Sequence, residues 1–250
     1  MTVATKPRTS RNGNGGDETG VKGTDLAPYS VEKEEVEIRP IVLKTIELTL
    51  VGASPLLMDN GIPAQQQIED SKKGPVERGR RKPVDDAAIE AKWLASRYLT
   101  ADGHPAIQSR AIALSIADGS SAHFKTTAKS QERAQYVFRA ITIVGPELLP
   151  IQGVASKDFH MLRTLGKNAN RGKKADEGTT DVRYRAELPA SWRVTFTLRF
   201  RADMLKVAEV IEAARSAGES IGVGAWRKQK GGTHGMFTVL VGKEMTVSGK

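Results

Sequence analysis

The residues best suited to chemistry lie between positions 222 and 235, where five glycines are combined with Arg227, Lys228 and Lys230. Glycine lets the backbone approach a phosphate group closely, and the three cationic side chains add positive charge. Trp226 is placed either to stack on a base or to anchor the loop in the core. We expect a phosphate-binding loop; the alternative is a flexible connection. The expected contact residues are Gly222, Gly224, Trp226, Arg227, Lys228, Lys230, Gly231, Gly232 and Gly235.

The histidines give little support for an enzyme. His104, His123, His160 and His234 are never three or four residues apart, and there is no cysteine, which excludes thiolate catalysis, disulfides and thiolate zinc sites. His234 is a weak candidate for a general acid or base, and a loop histidine without a catalytic role is the preferred interpretation. We therefore assign no catalytic residue and expect no metal and no cofactor.

A second group of cations alternates with apolar residues between positions 192 and 201. A period of two predicts a strand with one core face and one polar face. The polar face is either a nucleic-acid platform or a solvated sheet surface, because the aromatic residues share the core face and do not present rings to bases. The polar face carries Arg193, Thr195, Thr197, Arg199 and Arg201, of which the three arginines are candidate contacts.

Two long polar segments, at about residues 61–84 and 153–181, carry further cations. Loops longer than about 12–15 residues are usually functional or disordered. We expect both segments to be basic loop inserts that clamp a nucleic-acid strand. The cations in question are Arg80, Arg81 and Lys82 in the first insert and Lys167, Arg171, Lys173 and Lys174 in the second.

The elements around these segments follow a ferredoxin-like order. Periodicity and breakers predict a strand at 46–50, helices at 85–98 and 105–119, strands at 136–144 and 192–201, a helix at 204–217 and a strand at 236–241. Asp85 and Asp203 are expected to cap helices, and Gly218 to follow the end of one. This is the split βαβ arrangement, an α+β fold of βαββαβ order. Residues 1–35 are expected to form a disordered basic tail, and 36–250 a single domain.

Composition favours an anionic partner. The 250 residues carry a net charge of +9, and the pI is about 9.7. Such a balance is typical of proteins that meet nucleic acid or an acidic membrane surface. The chain has no apolar run of about 18 residues, and because Met1 to Gly23 contain no apolar stretch we do not expect them to act as a secretory signal. We expect a cytoplasmic protein without a membrane partner, in the bacterial host cytoplasm if a phage encodes it.

Two segments resemble a known pattern. Ser54-Pro55-Leu56-Leu57-Met58 and the stretch from Ile221 to Phe237 resemble an uncharacterised group of bacteriophage proteins and are similar to the RAMP superfamily (repeat-associated mysterious proteins) of CRISPR systems. The resemblance implies an RRM-like fold with a glycine-rich loop before a late strand. It carries over to Gly222, Gly224, Arg227, Gly231, Gly232 and Gly235.

Members of that superfamily either bind guide RNA along a helical filament or cut RNA precursors. The cutting members usually carry a histidine near the first helix, and none lies between Val51 and Tyr98 here. The leading hypothesis is therefore a non-catalytic protein that binds single-stranded RNA or DNA, as a homo-oligomer or a subunit of a complex. The alternatives are a metal-independent endoribonuclease and a structural phage protein that makes protein contacts.

Overall fold

The computed structural model describes residues 41–61, 86–122, 126–168 and 179–247. The expected tail at 1–35 and most of the first insert lie outside these ranges. Of the candidate contacts, Arg80, Arg81, Lys82, Arg171, Lys173 and Lys174 lie outside them. No helix within the four described ranges has the length and apolarity needed to cross a bilayer.

Nine strands and four α-helices are described. The strands are β1 Leu43–Gly52, β2 Leu56–Met58, β3 Ala106–Gln108, β4 Ile141–Val144, β5 Leu148–Pro150, β6 His160–Asn168, β7 Thr179–Leu188, β8 Arg193–Arg201 and β9 Phe237–Val247. The helices are α1 Asp86–Ala95, α2 Ser109–Gly119, α3 Thr127–Ala140 and α4 Val207–Ser216, and a π turn, Ala217–Ile221, follows α4.

The main sheet has four strands in the order β4-β8-β1-β9, and each neighbouring pair is antiparallel. Helix α2 lies in the crossover from β1 to β4, and helix α4 in the crossover from β8 to β9. Each crossover passes one intervening strand, which is the split βαβ topology. The α+β, ferredoxin-like fold expected from the sequence is therefore confirmed.

The core lies between this sheet and the helices. Leu48 pairs with Phe196 and Ile46 with Leu198 at the centre of the sheet, and all four side chains are buried. Along β8 burial alternates from Val194 to Phe200, as the period of two predicted. The arginines and threonines of β8 are on the opposite face of the sheet from the core.

One expected strand is mostly a helix. Residues 136–140 belong to α3, and β4 contains only Ile141–Val144. The β-branched and aromatic residues between Tyr136 and Val144 favour a strand. This run continues a segment rich in Ala, Gln, Glu, Lys and Arg, which favour a helix, and short apolar runs do not distinguish the two.

Two helix ends also differ from expectation. Residues 106–108 pair with β5 as a strand, so the second helix begins at Ser109 and not at Pro105. The expected helix at 204–217 begins at Val207, and the carboxylate of Asp203 pairs with Arg201 instead of capping it. Gly218 lies inside the π turn and not beyond the helix. Asp85 is outside the described residues.

The second insert contains regular structure. Strands β6 and β7 form an antiparallel pair that joins the short strand β2, in the order β2-β7-β6. The expectation of a polar connection over 153–181 is therefore corrected for the residues in β6 and at the start of β7. Lys167 lies in β6, in register with Thr180.

Candidate nucleic-acid interface

The glycine-rich loop, residues 222–235, is fixed to β2. The N–H of Ala225 donates to the carbonyl of Leu57 at 2.8 Å, and the N–H of Gly235 donates to the carbonyl of Pro55 at 2.8 Å. Within the loop, the N–H of Val223 donates to the carbonyl of Gly235 at 2.9 Å. The interpretation as a flexible connection is not supported, because these hydrogen bonds fix both ends of the loop.

The glycines allow close packing of the loop on itself and on β2. A Cβ added to Gly224 would lie 2.5 Å from the carbonyl oxygen of Leu57, and one added to Gly232 would lie 1.7 Å from that of Trp226. Gly224 also has a φ of +77°, which disfavours other residues.

This packing uses many of the backbone donors that we expected to meet phosphate. Their partners are carbonyl oxygens of the protein itself. Phosphate contacts from this loop therefore depend chiefly on its side chains. The N–H groups already bonded are those of Gly222, Val223, Ala225, Lys230, Gly231, Gly232, His234 and Gly235.

The three cations of the loop differ in their surroundings. The Arg227 guanidinium is half-buried and donates to Gln229 Oε1 at 2.9 and 3.1 Å and to the carbonyl of Gly224 at 3.3 Å. Lys228 is exposed, and its Nζ donates to the carbonyl of Glu219 at 2.9 Å. Lys230 is exposed at the end of the 3₁₀ turn Lys228–Lys230. The loop thus presents one oriented guanidinium and two exposed ammonium groups.

Trp226 lies beside these cations. Its side chain is 46% exposed, so the alternative role as a buried core anchor is not what the structure shows. The inner face of the ring stacks on His234, with the centroids 5.2 Å apart and the planes at 17°. Its φ of 50° is unusual for a residue other than glycine. The outer part of the ring is accessible for stacking.

His234 is buried beneath Trp226. Its Nε2 lies 2.7 Å from Oε1 of Glu187 in β7, and its Nδ1 lies 3.3 Å from Oγ1 of Thr233. The imidazole is oriented by a carboxylate, as in a general acid–base pair, but only 7% of the residue is exposed. Sequence reasoning missed Glu187, because it precedes His234 by 47 residues and shares no motif with it.

The structure does not bring the arginine row of β8 to the glycine-rich loop. Ser115 and Asp118 of α2 hydrogen-bond to loop residues, so the loop lies on the helix side of the sheet, whereas the row lies on the outer face. Arg193 and Arg199 are exposed, and Arg201 pairs with Asp203 at 2.5 Å. Along the strand, Arg193 and Arg201 are roughly 26 Å apart. The two groups form separate surfaces.

A cavity of about 300 Å³ opens between the glycine-rich loop, β2 and the start of α2. Tyr98 lines it, and its hydroxyl donates to the carbonyl of Asp59 at 3.2 Å. Burial, and secondarily the Asp59 carboxylate, raises the pKa of Tyr98 above its ordinary value, so the phenol stays protonated. Among the described residues, no group of three or more His, Asp or Glu side chains is arranged to hold a metal ion.

Comparison with known proteins gives distant structural similarities. No protein-family model and no curated protein matches the chain. A crystal structure of Cmr6 from Pyrococcus furiosus matches with a TM-score of 0.37 and 11% identity, covering 80% of this chain and 99% of Cmr6. A Cas6 product complex matches with a TM-score of 0.25 and 14% identity, covering 81% of this chain and 53% of Cas6. At these values the similarities do not assign the chain to a family.

Proposed function

We propose that this chain is a non-catalytic protein that binds single-stranded nucleic acid, RNA or DNA, at the glycine-rich loop. The observation that carries this proposal is the exposed ring of Trp226 beside Arg227, Lys228 and Lys230 on a backbone fixed to β2. Stacking of one base on an aromatic ring, with cations on the adjacent phosphates, is the usual way in which single strands are held. A fixed loop orders these groups before the ligand arrives, which lowers the entropic cost of binding.

The non-catalytic part of the proposal rests on His234. Its ring is covered by Trp226 on one side and bonded to Glu187 through Nε2. A general base must reach the proton that it abstracts, and a residue that is 7% exposed does not reach a ribose hydroxyl outside the loop. We interpret the pair as a structural contact that holds the loop on β7.

The test is anisotropy of labelled single-stranded RNA, single-stranded DNA and duplex DNA at about 50 and 200 mM salt. The triple variant Arg227→Ala/Lys228→Ala/Lys230→Ala removes three phosphate contacts. For single strands we expect the slope of log K against log salt to become shallower by about 2, or 0.7 per contact. A control, Lys92→Ala/Lys129→Ala/Arg139→Ala, removes the same charge from exposed positions on α1 and α3.

Three outcomes are decisive. Binding of a single-stranded form that the loop variant loses and the control variant keeps supports the proposal. Equal losses in the two variants mean that net charge alone accounts for binding. Absence of binding by the unmodified protein at low salt overturns the proposal.

A metal-independent ribonuclease is the second candidate, and the 2.7 Å contact between His234 and Glu187 favours it. Such an enzyme cleaves RNA through the 2′-hydroxyl in the presence of EDTA and leaves DNA intact. We expect no cleavage of a labelled RNA by the unmodified protein under these conditions. Cleavage that His234→Gln abolishes, while binding persists, would replace the non-catalytic proposal.

A structural role in an assembly is the third candidate. Met161 is 43% and Leu165 71% exposed, and both lie on the same face of β6. These side chains are available to an apolar partner surface. Light scattering with and without single-stranded RNA, on the protein and on Met161→Glu/Leu165→Glu, distinguishes the possibilities. An assembly that forms without nucleic acid and is lost in the variant favours the structural role.

A further inference from the structure

The cavity beside the glycine-rich loop has an apolar lining and a polar rim. Its volume of about 300 Å³ is at the lower end of the range for small-molecule pockets, which run from about 300 to 1,000 Å³. Such a space is large enough for one ring system. The apolar residues that line it are Leu56, Leu57, Met58, Ala106, Ile107, Ala111 and Ala225.

The rim contains one polar side chain without a partner in the described part of the chain. The carboxylate of Asp59 is bonded to Arg185, and the hydroxyl of Tyr98 donates to the carbonyl of Asp59. The half-buried carboxamide of Gln108, which precedes α2, forms no hydrogen bond with another residue that the structure describes. A carboxamide offers a donor and an acceptor side by side, which is the complement of a base edge.

Arg227 joins this cavity to the cationic part of the loop. The guanidinium lines the cavity, and three of its N–H groups are held by Gln229 and Gly224. A guanidinium has five N–H groups, so two are left for an anionic ligand. An apolar slot, an uncommitted carboxamide and an oriented guanidinium thus meet in one place.

We propose that this cavity takes one unstacked nucleobase of the bound strand, with its phosphate on Arg227 and its edge on Gln108. The inference rests on the proposed function, since it names where a base of the same strand goes. The faces of the base contact the aliphatic side chains of β2 and α2, and the sugar–phosphate continues over the loop towards Lys228. Trp226 stacks a neighbouring base outside the cavity.

The test compares two ligands that carry the same phosphates. One is a single-stranded oligoribonucleotide of about eight residues, and the other is its fully abasic analogue. Ala111→Phe fills the cavity from α2. Leu114→Phe is the matched control, because Leu114 is on the same helix, is 39% exposed and does not line the cavity. We expect Ala111→Phe to weaken binding of the base-bearing strand about tenfold and to leave the abasic strand unchanged, since each base held contributes about 1–3 kcal/mol.

A second variant keeps the test informative if Ala111→Phe does not fold. Gln108→Leu changes only the rim, and we expect it to alter the relative affinities for oligo-A, oligo-C and oligo-U while the abasic affinity stays the same. Thermal melts of all three variants check the fold.

The outcomes separate the two proposals. If the unmodified protein binds neither ligand, the proposed function and the base site both fail. If it binds the base-bearing strand, and neither Ala111→Phe nor Gln108→Leu changes that binding relative to Leu114→Phe, the loop proposal stands and the base site is overturned.

Discussion

Nε2 of His234 lies 2.7 Å from Oε1 of Glu187, and this contact ties the glycine-rich loop to β7. Glu187 and His234 are 47 residues apart in the sequence, and the main-sheet strand β8 lies between them. Since the loop is also fixed to β2 through Leu57, two strands of the three-stranded sheet β2-β7-β6 hold it at two points. The surface that carries Trp226 is therefore anchored to both β2 and β7.

Removal of the Glu187 carboxylate should loosen this arrangement. In Glu187→Ala the imidazole of His234 stays buried and loses its partner, which costs about 1–3 kcal/mol. We expect a lower urea midpoint, and faster hydrogen exchange of the loop amides than of the β8 amides. Glu132→Ala, at an exposed position on α3, is the control. Equal exchange in the loop and the main sheet would show that the contact does not order the loop.

Two glycines of the loop share a backbone conformation and differ in the space around them. Gly224 and Gly231 have φ values of +77° and +75°, but an added Cβ would lie 2.5 Å from a carbonyl oxygen at Gly224 and meets nothing within 4 Å at Gly231. Gly231→Ala should lower the free energy of unfolding by only about 1–2 kcal/mol, which is the cost of a left-handed backbone conformation at alanine. Gly224→Ala should cost more and displace the loop from β2.

Denaturant titrations of the two alanine variants, with single-strand binding measured in parallel, check this prediction. We expect Gly231→Ala to bind nearly as well as the unmodified protein and Gly224→Ala to bind weakly. Equal destabilisation would mean that the loop does not need its close approach to Leu57.

Trp226 should matter for binding more than for stability. Its ring is half exposed, and base stacking on an aromatic ring contributes about 1–3 kcal/mol, so Trp226→Ala should weaken single-strand binding about 5- to 150-fold. Trp226→Phe keeps an aromatic face and should recover most of the affinity. Tryptophan fluorescence gives an independent readout, since we expect RNA binding to quench it in the unmodified protein and to quench it less in Trp226→Ala. A fall in the free energy of unfolding as large as the loss of binding free energy would instead assign Trp226 to the fold.

An ion pair between two helices gives a pH prediction. The carboxylate of Glu209 in α4 accepts from the N–H of Lys206 and lies 2.9 Å from Arg133 Nη2 in α3. The hydrogen bond from Lys206, and then the Arg133 guanidinium, lowers the pKa of Glu209 below its ordinary value. A lowered pKa means that the folded state favours the ionised form, so this stability is present above the unfolded pKa of about 4.3 and is lost as the pH falls through the folded value.

Glu209→Gln removes that charge. We expect the variant to be slightly less stable than the unmodified protein at about pH 7, and the difference to disappear at an acid pH below the folded pKa of Glu209, where both carry a neutral side chain. The effect is small because the pair is partly solvated. Urea unfolding at the two pH values measures it, and a difference that persists in acid would show that the charge of Glu209 is not involved.

Local sequence patterns predicted the strands in which apolar and polar residues alternate regularly. They did not predict the elements whose secondary structure depends on pairing with a distant part of the chain. The alternation along β8 is intrinsic to the strand, and it was found at the expected residues. Ala106–Gln108 form a strand because they pair with Leu148–Pro150, about forty residues away, and no local sequence pattern predicts that pairing. The position of the glycine-rich loop was evident from its composition. The roles of its glycines were not, since the carbonyl that Gly224 approaches belongs to β2.

Leu57 pairs with Glu187 of β7 in one direction and with Ala225 of the glycine-rich loop in the other. This double pairing of Leu57 limits where related chains are able to gain or lose residues. In the hairpin of β6 and β7, Asn168 and Thr179 pair at the end far from Leu57, eight residues along β7 from Glu187, so a change in chain length between them leaves the contacts of Leu57 in place. At the base of the same hairpin, where β7 meets Leu57, an insertion of a single residue would shift the register and detach Glu187 from His234. Changes in chain length among related sequences should therefore be found between β6 and β7 and be absent where β7 pairs with Leu57.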